Sequence, residues 1–253
     1  MLACGLAYFV PVGTCLADEW TNVIHKVRVA GQLDRGLKDH FVPFDMHPYA
    51  SLQQWVEGQA ATAGLDTRFD SAAFQVAQHH VFLVGTAGFR NLPKRYFLGW
   101  MFHLFNLAGR VEDDTLVVIK SEKSTADFKC FQETDGPWRK QVDAVLQVPV
   151  TFTGTNCNAG DLLSFLSFKT DAPLLLDRSL MADDHNVFPP PLDRGIDLVY
   201  TNAPLAEVLS SVFKRLVLTY RLQGGVIFIT TQENSGPNQV PVDTTRTLAD
   251  PQH

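Results

Sequence analysis

Apolar and polar positions follow two rhythms along the chain, and the clearest run of both lies between Ile196 and Thr230. Ile196-Asp197-Leu198-Val199-Tyr200 predicts a strand, and Thr201-Asn202-Ala203-Pro204 a turn. Leu205, Val208, Leu209, Val212, Phe213, Leu216 and Tyr220 keep the three-and-four spacing of one helical face, so the spacing predicts a helix from Leu205 to Gln223. Pro204 suits a first helical turn, and Gly224-Gly225 supplies left-handed backbone at the exit. Val226 to Thr230 follows as a buried strand. The whole reads as a βαβ unit.

The same order occurs earlier. Val81 to Val84 predicts a strand, Gly85-Thr86-Ala87-Gly88 a turn, and Tyr96, Phe97, Trp100, Met101, Leu104, Phe105 and Ala108 one face of a helix over 92–108. Asn91 is its expected cap, Pro93 lies in its first turn and Gly109 is its expected stop. Thr115 to Ile119 is the next strand. Two such units predict an α/β fold with a mostly parallel, Rossmann-like sheet and helices on both faces, because parallel neighbours need a crossover that is usually helical.

Elsewhere the pattern predicts a first strand at Leu6–Val10 and helices at Asp18–Val29, Ser51–Ala63, Trp138–Leu146 and Asp161–Phe168. It predicts strands at Val148–Thr153 and Leu174–Leu176, the latter ending at Asp177. Asp39–Tyr49 and the proline-bearing Asp183–Asp193 have loop composition. These readings divide the chain into an irregular N-terminal extension packed on the core (1–70), a Rossmann-like core (71–233) and a polar C-terminal arm, extended or disordered (234–253). No internal repeat of solenoid period is expected.

With 253 residues and 45% hydrophobic content, the chain can bury a core without disulfide staples. Its formal charge of −6 argues against a broad phosphate-neutralising surface, while a local basic patch would leave nucleic acid open as a partner. Cys4, Cys15, Cys130 and Cys157 form no Cys-x-x-Cys pair, so a reducing, cytoplasmic or intracellular setting is expected. Leu2–Ala17 has the apolar character of a secretory leader, but it lacks a leading Lys or Arg and is broken by Pro11 and Gly13. A buried strand is the favoured reading there. No run is long enough for a transmembrane helix.

The candidate chemistry is concentrated at the expected strand ends. His40, Asp45 and His47 are separated by prolines and share no helical face; His79 and His80 alternate across a strand; Asp183-Asp184-His185 sits in a polar turn, so no metal site is expected. Gly85, Thr86 and Gly88 form a strand-to-helix turn of the kind that lets backbone approach a phosphate or a cofactor carboxylate. Glu122, after the Thr115 strand, is placed to accept from a ribose, and Asp177 ends another strand at the same expected edge as a further candidate cofactor contact. Asn202-Ala203-Pro204-Leu205 closes the fourth position in this order. The arrangement resembles class I S-adenosylmethionine-dependent methyltransferases, with a glycine turn after the first strand, an acidic residue after the second and an Asn-Pro-type turn after the fourth. That resemblance spans about Val81 to Thr230. It implies S-adenosylmethionine at Gly85, Thr86, Gly88, Glu122 and Asp177, with Asn202 as the catalytic contact to the methyl acceptor. Ala203 and Leu205 stand where such enzymes carry a proline and an aromatic residue. The alternative is a non-enzymatic assembly or interaction subunit, for example of a viral or multiprotein complex. Its protein partners or further copies of itself would bind through the aromatic helix 92–108 and the tail, in a chain of eighteen phenylalanines.

Overall fold

Eight strands sort into three small sheets of mixed direction among the described residues. The computed structural model describes residues 50–78, 86–121, 126–180 and 192–233, together with Leu37. The expected elements at Leu6–Val10, Asp18–Val29, Asp39–Tyr49 and Val81–Val84 lie outside the described residues, as do His79-His80, Asp183-Asp184-His185, the three prolines Pro189 to Pro191 and the tail from Asn234.

The first sheet draws on the N-terminal third. Helix α1 (Leu52–Thr62) starts where Ser51 and Gln54 cap each other reciprocally, which satisfies two orphan backbone donors. Strand β1 (Asp66–Phe69) then runs parallel to β3 (Thr115–Lys120), and helix α2 (Ser71–Ala77) is capped by Asp70. The short helix α3 (Thr86–Phe89) and helix α4 (Lys94–Leu104) follow, and β2 (Leu107–Glu112) returns antiparallel to β3.

After a 3-10 segment (Ala126–Gln132) and helix α5 (Arg139–Leu146) come β4 (Pro149–Asn158), α6 (Ala159–Thr170) and β5 (Leu174–Leu176). A 3-10 turn (Arg178–Leu180) precedes β6 (Gly195–Pro204), α7 (Leu205–Leu216), β7 (Leu218–Gln223) and β8 (Val226–Thr231). Strands β4 and β6 pair antiparallel as a two-stranded sheet. Strand β8 lies between β5, to which it is parallel, and β7, to which it is antiparallel.

The mostly parallel, Rossmann-like sheet is therefore not what forms, and the reason is local. The helix expected over Leu205–Gln223 ends at Leu216, where Val217 turns left-handed (φ 58°), and Leu218 to Gln223 is a strand. Gly224 and Gly225, with φ of 51° and 78°, then make the β7–β8 hairpin turn, whose positive φ at both central positions glycine meets without strain. The helix expected over 92–108 divides in the same way. Asn106 (φ 52°) follows α4, and Ala108 and Gly109 belong to β2. Each expected crossover is thus a shorter helix plus one arm of an antiparallel hairpin.

The β5–β8–β7 sheet is the wall between two cores. Leu175, Val226 and Phe228 face a cluster built on α1, α4 and β3, where Trp100 stacks on Phe228 with ring centroids 4.7 Å apart and donates through Nε1 to the Gly224 carbonyl at 3.1 Å. Leu174, Leu176, Ile227 and Ile229 face the opposite way, into a cluster completed by α6 and α7. Alternation along strands covered on both sides accounts for the uninterrupted apolar runs. Phe97, Trp100, Met101, Phe102 and Leu104 of α4 are all buried, so the aromatic stripe is spent on the interior.

An internal repeat, not expected from the sequence, organises the second half. Strands β4 and β6 lie 46 residues apart at both ends (149 to 195, 158 to 204), as do α6 and α7 (159 to 205, 170 to 216). Left-handed residues recur with the same offset, Asn156 with Asn202 and Asp171 with Val217. Pairing between the two strands has local two-fold symmetry. Thr153 faces Val199, its own equivalent, and the ends match as Pro149 with Pro204 and Asn158 with Gly195.

Candidate functional site

The expected site residues are distributed over several elements. Gly85 and Glu122 lie outside the described residues, and Thr86 opens α3. Gly88 is buried in α3 against the backbone of Ala172 and Pro173, where an added Cβ would collide with both. This close approach explains the glycine without invoking a ligand. Arg90 secures the same contact by an ion pair with Asp171, the left-handed residue that ends α6.

Asp177 lies just past the other end of β5, about 13 Å along the chain from Pro173 at the Gly88 contact at a strand's rise per residue. Its carboxylate is occupied by local partners. Oδ2 accepts from the Thr230 hydroxyl at 2.7 Å, and Oδ1 accepts from the Ser179 amide at 3.1 Å and the Ser179 hydroxyl at 3.2 Å. The chain turns there into the 3-10 segment, whose Leu180 amide donates to the Asp177 carbonyl at 2.8 Å.

Polar groups gather around this carboxylate. Arg221 of β7 lies over the Phe228 ring, 4.8 Å from its centroid, and Arg178 lies the same distance from Phe105. His103, from the last turn of α4, stacks on Phe131 at 4.9 Å. Burial lowers the imidazole below its ordinary range, the Arg221 charge lowers it further, and Asp177 opposes both. His103 is therefore a neutral ring at neutral pH, able to accept or donate one hydrogen bond. Burial also tunes groups elsewhere: the Lys94 amine falls to about 8, and the Cys130 thiol rises to about 12 and stays protonated. No group of three or more His, Cys, Asp or Glu side chains that could hold a metal occurs among the described residues. Nor is any helix there long and apolar enough to cross a membrane.

Asn202 belongs to a different sheet from Asp177. It lies near the end of β6 with φ 55°, and its amide donates to the Thr151 hydroxyl of β4 at 3.0 Å. Its equivalent, Asn156, donates its amide to Oδ1 of Asp197 at 2.6 Å. Both asparagines sit beside irregularities in the β4–β6 pairing, where a residue that tolerates left-handed backbone is required.

The β4–β6 ribbon has an exposed outer face. Val150, Ile196 and Leu198 point inward onto α6 and α7, whereas Thr151, Thr153, Thr155, Val199 and Thr201 point outward, Val199 at 72% exposure. The two ten-residue strands carry a single charge, Asp197. Its carbonyl accepts from Nη1 of Arg215 at 2.6 Å, so α7 covers that part of β6 with a cation. Strand β4 has no charged residue and no such cover among the described residues. Sequence reasoning missed the ribbon because the repeat was missed. The available signal was the recurrence of Thr155-Asn156 as Thr201-Asn202 and of Leu163-Ser164 as Leu209-Ser210, each at the same offset.

Comparison with protein-family models, with curated proteins and with solved structures finds no match to this chain.

Proposed function

We propose that the chain is a non-enzymatic assembly or interaction subunit whose contact surface is the β4–β6 ribbon. The observation that carries this reading is an exposed pair of long, almost uncharged, β-branched strands joined to no third strand among the described residues. Two-stranded sheets are marginal by themselves, and an open edge presents unpaired amides and carbonyls that a further strand can satisfy. The methyltransferase reading depended on one parallel sheet bringing the glycine turn, Asp177 and Asn202 to a common edge. Asp177 instead follows β5 of one sheet, and Asn202 lies within β6 of another.

Proximity labelling in cells with the wild-type chain and with Thr153→Lys/Val199→Lys tests the proposal. The expected result is a defined partner set that the double variant loses while retaining its fold. An unchanged set counts against the ribbon. Thermal-shift titration with S-adenosylmethionine, S-adenosylhomocysteine, NAD and ATP supplies the counter-test. Saturable binding by one of them would raise stability by about 2.7 kcal/mol at a hundred times its dissociation constant and return the argument to a cofactor.

A further inference from the structure

Lys94 occupies a place that is unfavourable to a lysine on three counts. It is 3% exposed, it opens helix α4, and among the described residues no carboxylate or other acceptor meets its amine. The first turn of α4 holds no acidic residue, and Pro93 before it makes no side-chain cap. The amides of that turn carry the positive end of the helix dipole, so a cation there is repelled by the helix as well as stripped of water. Burial lowers the amine to about 8, with no neighbouring carboxylate to hold it up. Side chains of a helix lean towards its N-terminus, which directs the Lys94 stem to this same end.

A second donor is left over on the same face of the helix. Trp55 of α1 is 1% exposed, and its Nε1 has no acceptor among the described residues. Its ring packs on Phe97 with centroids 5.4 Å apart, and Phe97 lies three residues after Lys94, one turn along α4. A buried amine, a buried indole N–H and a helix N-terminus all lack the same thing, an acceptor that bears negative charge. We infer that the N-terminus of α4, with Lys94 and Trp55, binds a small oxyanion of the phosphate or carboxylate class. The anion would neutralise the Lys94 amine, accept from Nε1 of Trp55 and meet the favourable end of the helix dipole. Trp55 and Phe97 belong to the core built on α1, α4 and β3, so the inference calls on neither the β4–β6 ribbon nor Asp177.

Thermal unfolding of the full chain in sodium phosphate or sodium acetate, from about 0.1 to about 20 mM against sodium chloride at equal ionic strength, brackets dissociation constants near about 1 mM. The expected result is a saturable rise of the midpoint in phosphate, in acetate or in both, and the salt that responds gives the class. Lys94→Met should lose the response. Trp55→Phe should keep it with affinity weakened by about fivefold, the worth of one hydrogen bond. No saturable rise in either salt overturns the inference. A rise that Lys94→Met shares also overturns it, because strongly hydrated anions stabilise folded chains without any site. Carbon-detected NMR of the Lys94 side chain in the wild type gives a second readout, which decides the matter should Lys94→Met fail to fold. A bound anion favours the charged amine and raises its titration midpoint above that in chloride, and an unchanged midpoint in both salts overturns the site.

Discussion

The two copies of the repeat share a backbone and spend it differently. In the second unit, β6–α7–β7, the helix is a simple amphipath whose Leu205, Val208, Leu209, Val212, Phe213 and Leu216 are buried. In the first, β4–α6–β5, the buried positions of α6 include Gly160, Ser167 and Thr170, because α3 approaches it from a further side and presses Gly88 onto Ala172 and Pro173. Phe213 and Tyr220 form a tilted aromatic pair at 5.7 Å in the second unit. Their equivalents are Ser167 and Leu174, and the Ser167 hydroxyl donates to the Ala172 carbonyl at 2.7 Å. The difference teaches that the repeated backbone is compatible with both an aromatic anchor and a buried polar clasp. What each helix must pack against selects between them.

Exchanging those solutions should give the largest effects. Phe213→Ala removes a fully buried ring and is expected to cost about 3–5 kcal/mol in chemical denaturation. Ser167→Ala, at the equivalent position, removes the hydroxyl from the Ala172 carbonyl, which still accepts from the Leu174 amide at 2.9 Å, and is expected to cost roughly 0.5–1.5 kcal/mol. Equal costs would show that the two units do not rely on different packing.

The left-handed residues after the helices sharpen the comparison at smaller scale. Val217 is β-branched, 60% exposed and held at φ 58°, a conformation that costs a non-glycine residue roughly 1–2 kcal/mol. Val217→Asn should therefore stabilise the protein by about 1 kcal/mol, whereas Asp171→Val should destabilise it by a similar or larger amount. The second change also removes the Arg90 ion pair. Thermal midpoints moving in opposite directions would confirm that one backbone requirement operates at both sites.

These same residues show why the sequence was legible in parts. The helix that begins after Ser51, the strand from Thr115, the helix ending at Leu146 and the short strand at Leu174 follow their local patterns closely. The junctions at Asn106 and Val217 did not. Tyr220 lies four residues beyond Leu216 and so continues a helical stripe, while Leu218, Tyr220 and Leu222 satisfy a strand equally well. Nothing local identifies Val217 as left-handed. A helix continued past either junction leaves no room for the hairpin arm and demands parallel pairing in its place. Asn202 has turn chemistry that is legible locally, whereas its structural counterpart Asn156 emerges only when the two strands are compared at their offset.

The finest distinction lies at the helix starts, where the repeated backbone meets different side chains. Asn158 precedes α6 and its side-chain oxygen accepts from the amides of Gly160 at 2.9 Å and Asp161 at 3.3 Å. Pro204, at the equivalent place before α7, makes no side-chain cap. Asn158→Ala should cost about 1 kcal/mol, the ordinary worth of such a cap, whereas Pro204→Ala should change stability by less, since no capping bond is lost. Native-state hydrogen exchange localises the difference. Amides in the first turn of α6 should lose protection in Asn158→Ala while those of α7 remain unchanged, and faster exchange in both helices would mean that the two units open together.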